Sequence, residues 1–354
     1  MNIEQLIVSA RAAGASDVHL VCGLPVKFRV DGRLVDAGAN GDAPLTHDDC
    51  ERLAEELAGG DFDRIKRIGE LDRADTIAGA RVRINLFRQQ GHVSAALRLL
   101  SDAIPPLETL GLPPAVMDFP NIQRGIVVVT GETGSGKSTT LAALIDAINH
   151  TRAENIITME DPIEYVHRHE GCIVTQREIP SDVATYAEAL RSAMREAPDV
   201  ILLGEMRDQE TIGTAMTAAE MAQLLFSTLH TTGASSTVDR IIDAFPANQQ
   251  RQIRMQLSLV LQAVVSQQLV PTVDGGIVPV FEIMTATPAI RNLIREEKTH
   301  QIDSVIASSS GAGMRTMDQS LHRLVKEGTI SKEVALQHAI HQEALKKRFE
   351  TEGM

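Results

Sequence analysis

Gly131, Gly136, Lys137 and Ser138 have the spacing G-x-x-x-x-G-K-S, with a further glycine at 134. These are the residue types needed to hold a polyphosphate. Glycines let backbone N–H groups turn toward phosphate oxygens, and a following helix N-terminus adds positive potential. In such a loop the lysine reaches the β- and γ-phosphates and the serine hydroxyl ligates Mg²⁺. A chain of this length would match by chance with a probability of about one in a hundred. The flanks lower that further. Ile126–Val129 reads as a buried parallel strand, and 140–148 reads as a helix. Gly131, Glu132, Thr133, Gly134, Ser135, Gly136, Lys137, Ser138 and Thr139 are therefore expected to contact ATP.

Hydrolysis needs acids as well. The apolar stretch 155–159 ends in Glu160-Asp161-Pro162-Ile163-Glu164. Ligands in open α/β sheets lie beyond the carboxyl ends of the strands, so these acids fall where the terminal phosphate and its water would be. Glu160 is the expected orienter of the attacking water, with Glu164 second, and Asp161 holds the loop or an outer Mg²⁺ contact. Val200-Ile-Leu-Leu-Gly-Glu205 is a Walker B pattern with Glu in place of the commoner Asp. Glu205 is expected to hold the water shell of Mg²⁺. His230 follows the apolar run 224–229 and is either structural or a γ-phosphate sensor. Arg83 and Arg98 lie far upstream, and are either solvated strand-face residues or contacts to a nucleotide bound by a neighbouring subunit.

Positioning these groups takes two domains joined by a linker. Residues 1–100 read as a small module of both helices and strands. Ile3–Ala13 has helical spacing and stops at Gly14. Strands follow at 18–21 and 26–30, with an Asp31-Gly32 hairpin into 33–35. Thr46 caps a helix to Leu57, and strands follow at 81–88 and 93–100. Residues 101–116 carry Pro105, Pro106, Gly111, Pro113 and Pro114 and read as a stiff inter-domain linker that suits a hinge. Residues 117–285 hold the phosphate loop and its strands. After Phe245-Pro246 the chain reads as mostly helical, with a strand at 277–284. Region 286–354 is helical, with Thr287-Pro288 opening one helix, a capping box at Thr316, and a last helix from Ser331 to about Phe349.

The net charge of −13 argues against a general nucleic-acid binder, and with it against a nucleic-acid motor. Cys22, Cys50 and Cys172 are scattered, giving neither a zinc site nor a disulfide framework. A cytoplasmic protein is expected from the absence of a signal-like N-terminus and of any apolar run of ~18 residues.

These boxes together resemble the secretion ATPase superfamily of bacterial type II secretion and type IV pili. Ala289-Ile-Arg-Asn-Leu-Ile-Arg-Glu296 is similar to the C-terminal signature of its retraction ATPases, and Ala15-Ser-Asp-Val-His-Leu20 to the start of their N-terminal domain. No four-cysteine zinc insertion is present, which favours that branch. The resemblance implies an α/β fold, with a PAS-like α+β domain followed by a RecA-like P-loop domain. It also implies a homohexamer acting through an inner-membrane platform protein on the pilus machinery, touching the membrane only indirectly. Arg83 and Arg98 fall where members of the family place interface arginines that contact nucleotide. An accessory retraction paralogue, or a pilus assembly or type II secretion ATPase, is the alternative. One departure stands out. The family usually reads Glu-Thr-Gly-His where this chain has Glu220-Met221-Ala222-Gln223, and the change is expected to bear on turnover or coupling.

Overall fold

A computed structural model of the chain describes residues 2–38, 43–100 and 103–353. They fall into two compact units: one up to Ala103 together with Pro162–Val166, the other spanning Ile104–Asp161 and His167 onward.

The first unit runs α1 (Ile3–Ala12), β1 (Ala15–Leu20), β2 (Lys27–Val30), β3 (Arg33–Asp36), α2 (His47–Ala58), α3 (Phe62–Ile68), β4 (Glu70–Ile77), β5 (Ala80–Gln89) and β6 (His92–Leu99). Its sheet has the order β3-β2-β1-β6-β5-β4, antiparallel throughout. Local chemistry sets the register. Asp31 and Gly32 both take positive φ, 48° and 75°, as do Gln90 and Gly91, giving two-residue turns whose twist matches a hairpin. Thr46 and Asp49 close the capping box of α2. Along β5, Val82, Ile84 and Leu86 are fully buried, so Arg81, Arg83 and Asn85 face the other way. Sequence pattern did not reveal α3 or β4. β4 carries the charged Glu70, Asp72, Arg73 and Asp75, and its two buried residues, Leu71 and Ala74, are three apart, so it has no alternating pattern to read.

The second unit opens with the proline-rich stretch, which is not a free-standing linker. Leu107, Leu112 and Val116 are buried in its core beside Val127 and Val129, while residues 101 and 102 lie outside the described residues. It continues α4 (Pro114–Met117), β7 (Gly125–Thr130), α5 (Lys137–Thr151), β8 (Asn155–Glu160), β9 (Ile173–Glu178), α6 (Tyr186–Ala193), β10 (Val200–Leu203), α7 (Gln209–Glu220), β11 (Leu224–Leu229), α8 (Ala234–Asp243), α9 (Ala247–Val260), β12 (Leu261–Pro271), β13 (Ile277–Thr285), α10 (Pro288–Arg295), α11 (Ile302–Ser308), α12 (Met317–Lys326), α13 (Lys332–His338) and α14 (Gln342–Thr351).

The sheet order is β13-β12-β7-β11-β10-β8-β9, all parallel except β13. Every residue of β7, β10 and β11 is buried, as expected of strands covered by helices on both faces. One layer holds α5 and the 107–119 segment; the other holds α6 to α11. The helices α12 to α14 form a separate cluster on the far ends of β12 and β13, around Val270 and Val280. Two expectations fail here. Residues 261–271 are not helical: they form β12, which pairs directly with β7. The final helix is broken at 339–341 into α13 and α14.

Ala222 takes φ 75° at the end of α7. This is the left-handed conformation in which an L side chain costs about 1 kcal/mol and glycine costs nothing extra. Ala222→Gly is expected to raise stability by about 1 kcal/mol, read as an upward shift in the unfolding transition of this unit. An unchanged transition would mean the strain is relieved elsewhere.

Candidate active site

The parallel strands end on one edge, and that edge collects the chemistry. β7 delivers the 131–136 turn, β8 delivers Glu160, β10 delivers Glu205 after Gly204, and β11 delivers His230.

The turn is built so that only glycine fits. A Cβ on Gly131 (φ 143°) would lie 2.2 Å from the Gln267 carbonyl and 2.7 Å from Ser135 Oγ. A Cβ on Gly136 would meet Gln267 Nε2 at 2.8 Å. Gln267 on β12 thus backs the loop, and its Oε1 accepts from Thr140 Oγ1 at 2.8 Å. Lys137 is 8% exposed, and its Nζ donates to the carbonyls of Gly131 and Glu132, both at 2.8 Å. The ammonium is therefore held inside the curl of the loop. Thr130 Oγ1 and Ser135 Oγ are buried without a partner, which suits a loop meant to surround an oxyanion. Ser138, on the first turn of α5, is exposed. Hydroxyl and carboxylate oxygens are the donors a hard divalent cation takes, so Ser138 and the carboxylate of Glu205 fit such an ion chemically.

Glu160 Oε1 accepts from Thr158 Oγ1 at 2.7 Å and from Gln176 Nε2 at 3.2 Å, so the carboxylate is oriented from below. Glu205, largely buried, is gripped by Arg207 Nε at 2.8 Å and approached by His230 Nε2 at 3.5 Å. The hydrogen bond and charge of Glu205 raise the pKa of Arg207. The structure brings Glu160, Glu205 and His230 to this one edge, with a contact that the sequence did not foretell: His230 faces Glu205.

Tyr186 escaped the sequence reading. Its hydroxyl would lie 2.9 Å from a Cβ on Gly204. Burial first, then the charges of Asp161, Glu160 and Glu205, push its pKa well above the usual tyrosine range. A permanent O–H donor therefore sits among three acids. The only available signal was its rarity, one of two tyrosines in the chain.

A cavity of about 350 Å³ opens beside the loop, lined by residues 132–135, Thr232, Gln268, Leu269 and residues 337–339. His338 Nδ1 lies 2.9 Å from Gln268 Oε1. The C-terminal helices thereby contribute to the mouth of the phosphate loop, a contribution with no sequence signal.

The remaining candidates lie elsewhere. Glu164 is in segment 162–166, which packs with the first unit. Arg83 and Arg98 are cross-strand partners in that unit. Arg83 Nη2 pairs with Asp72 at 2.7 Å and Arg98 Nε with Asp17 at 2.9 Å, around a cavity of about 250 Å³. Burial opposes the charge on Asp17, but hydrogen bonds from Ser16 and Arg98 hold its carboxyl below the ordinary value. Gln223 precedes β11 at the opposite end of the strand from His230, ~20 Å away at strand rise. It is therefore not among the groups at the phosphate-loop edge.

A parallel sheet that carries a phosphate loop on β7, a histidine at the end of the adjacent β11 and carboxylates after β10 and β8, all at one end of the strands, defines a P-loop nucleotide-binding protein. The family model described as type II/IV secretion system protein matches residues 80–337, and the chain belongs to that family. It is 45% identical over 344 residues to the type IV pilus retraction ATPase PilT of Pseudomonas aeruginosa, covering 96% of this chain and 98% of that protein. It is 39% identical to the type IV pilus ATPase PilU of the same organism, covering 96% and 89%. A crystal structure of the pilus retraction motor PilT with bound ADP superposes with a TM-score of 0.92, at 43% identity over 98% of this chain and 99% of that one.

Proposed function

We infer that this protein is an ATP-hydrolysing motor that drives retraction of type IV pili. The observation that carries this reading is the end-to-end likeness to a retraction motor solved with a nucleotide, together with an intact phosphate loop and catalytic acids.

In this reading the loop amides of 131–136 and the Lys137 ammonium bind the β- and γ-phosphates of ATP. A Mg²⁺ ion held by Ser138, and through water by Glu205, would supply charge neutralisation on those phosphates. Glu160, oriented by Thr158 and Gln176, positions the attacking water and takes its proton. His230, which faces Glu205, registers whether the terminal phosphate is present. Arg83 and Arg98 would exchange their partners Asp72 and Asp17 for the nucleotide of a neighbouring copy, making hydrolysis depend on assembly. The assembly is a homohexamer on the cytoplasmic side of the inner membrane, acting on a platform protein of the pilus base. Among the described residues no helix is long and apolar enough to cross a membrane, so force would reach the membrane through that partner.

Deleting the gene and counting surface pili tests this directly. Excess pili with lost twitching is the expected result; bald cells would mean extension instead. The departure at Ala222-Gln223 favours one second reading, an accessory retraction motor. It predicts that the protein fails to restore twitching when expressed as the sole retraction ATPase.

A further inference from the structure

Glu282 is an acid inside an otherwise apolar strand, Val278-Pro-Val-Phe-Glu-Ile-Met284 on β13, and is 2% exposed. A carboxylate buried so deeply needs strong partners. It has two, both backbone amides that open helices. Oε1 accepts from Ala234 N at 2.6 Å, the first residue of α8, and Oε2 accepts from Met317 N at 3.0 Å, the first residue of α12. Each helix N-terminus favours the negative charge.

The neighbours extend the grip. Ser266, the cross-strand partner of Glu282, accepts from Gly233 N at 3.0 Å. Gly233 and Ala234 follow His230 by three and four residues. On the other side, Asp318 in the first turn of α12 accepts from Ile340 N at 2.8 Å and His341 N at 3.0 Å. Ile340 Cδ1 lies 3.2 Å from where a Cβ on Gly233 would be, and residues 337–339 line the cavity beside the phosphate loop. Glu282 thus joins the turn after His230 to the start of α12, and Asp318 on α12 carries the link on to the segment beside that cavity.

We propose that Glu282 is a positioning residue, a two-oxygen clamp that holds the histidine turn and the C-terminal helices in one register so that His230 faces Glu205. This rests on the ATPase reading above. The clamp also titrates. Burial first, then the charges of Asp303 on α11 and Asp318 on α12, raise the Glu282 carboxyl to about 7, against the pull of its two amides. Among the other charged groups, His341 lies against Asp303 at 3.4 Å, and the first turn of α8 is uncharged. Above pH 7 both oxygens accept and the clamp is complete. Below it the protonated oxygen is a much weaker acceptor, and its hold on one amide loosens.

The sign of the linkage separates positioning from mere structure. A carboxyl whose folded pKa exceeds its ordinary value costs the fold stability as pH rises through that interval. Wild type should therefore lose stability relative to Glu282→Gln between pH 5 and 8. Over the same range its kcat relative to that variant should rise, reaching about 10- to 100-fold at pH 8, with KM for ATP little changed. A purely structural role would move stability and turnover together.

Hydrogen exchange gives an arm independent of turnover. At pH 8, segments 231–236 and 316–319 should exchange faster together in Glu282→Gln. Glu282→Asp keeps the charge but loses reach, and should behave likewise if the Gln variant fails to fold. Wild-type kcat at pH 8 in these variants, a ratio flat across pH, or loosening of only one segment would overturn the clamp. A wild type with no ATP hydrolysis would contradict the motor reading instead, leaving the exchange arm to decide the clamp.

Discussion

Lys137→Ala is expected to lose ATP turnover by about 10²–10³-fold or more, the scale for removing one preorganised charge from a transition state. The loss should appear in binding as well. With Nζ held by the Gly131 and Glu132 carbonyls inside the loop, the ammonium is in place before any nucleotide arrives, and no other basic side chain lies within residues 131–139. Saturating ATP should raise the wild-type unfolding midpoint, by linkage worth about 2.7 kcal/mol at one hundred times Kd. The variant should show little of that rise. Its own stability should fall by about 1–2 kcal/mol, because two carbonyls lose a buried donor, so the ligand-dependent shift is the diagnostic quantity. A variant that keeps the shift would place the phosphates somewhere other than this loop.

Glu160→Gln should separate binding from chemistry. The substitution is nearly isosteric, and the amide oxygen can still accept from Thr158 and Gln176, so the sheet edge should keep its shape. What disappears is the base. kcat should drop by about 10²–10⁴-fold, while ATP affinity stays within about threefold of wild type, and purified variant incubated with ATP should retain it uncleaved. Tyr186 and Glu205 remain nearby but cannot substitute. The Tyr186 hydroxyl holds its proton, and Glu205 is engaged by Arg207. Substantial turnover in Glu160→Gln would move the base to another group.

The parts of this architecture that were readable in the sequence are those specified over a few residues. The strand 125–130 and its glycine turn, the Asp31-Gly32 hairpin, and the caps at Thr46, Thr287 and Thr316 depend on local chemistry, and the structure has them. β12 was hidden for a local reason too. It follows α9 with no turn residue at the Val260–Leu261 junction, and Gln262, Gln267 and Gln268 suit a helix as well as a strand. Only pairing with β7 decides the matter. The break at 339–341 likewise comes from Asp318 taking the Ile340 and His341 amides, a contact from 22 and 23 residues away. Individual site residues could be named because their spacing after apolar strands is a pattern. Which of them touch could not. The His230–Glu205 contact, the place of Tyr186 and the approach of 337–339 to the phosphate loop arise from strand order and helix packing.

The family's Gly-His at 222–223 shows the converse. A departure visible in sequence invites an expectation about turnover or coupling; in the structure it comes with backbone strain at Ala222 and a buried, unpartnered Gln223 Oε1, at the end of β11 remote from His230.

The most direct test is phosphate release by the purified full chain on Mg-ATP, with bound nucleotide quantified in the same samples. Wild type should release phosphate continuously, Glu160→Gln should hold ATP without releasing it, and Lys137→Ala should do neither. Release from Lys137→Ala at the wild-type rate would contradict the account at its root.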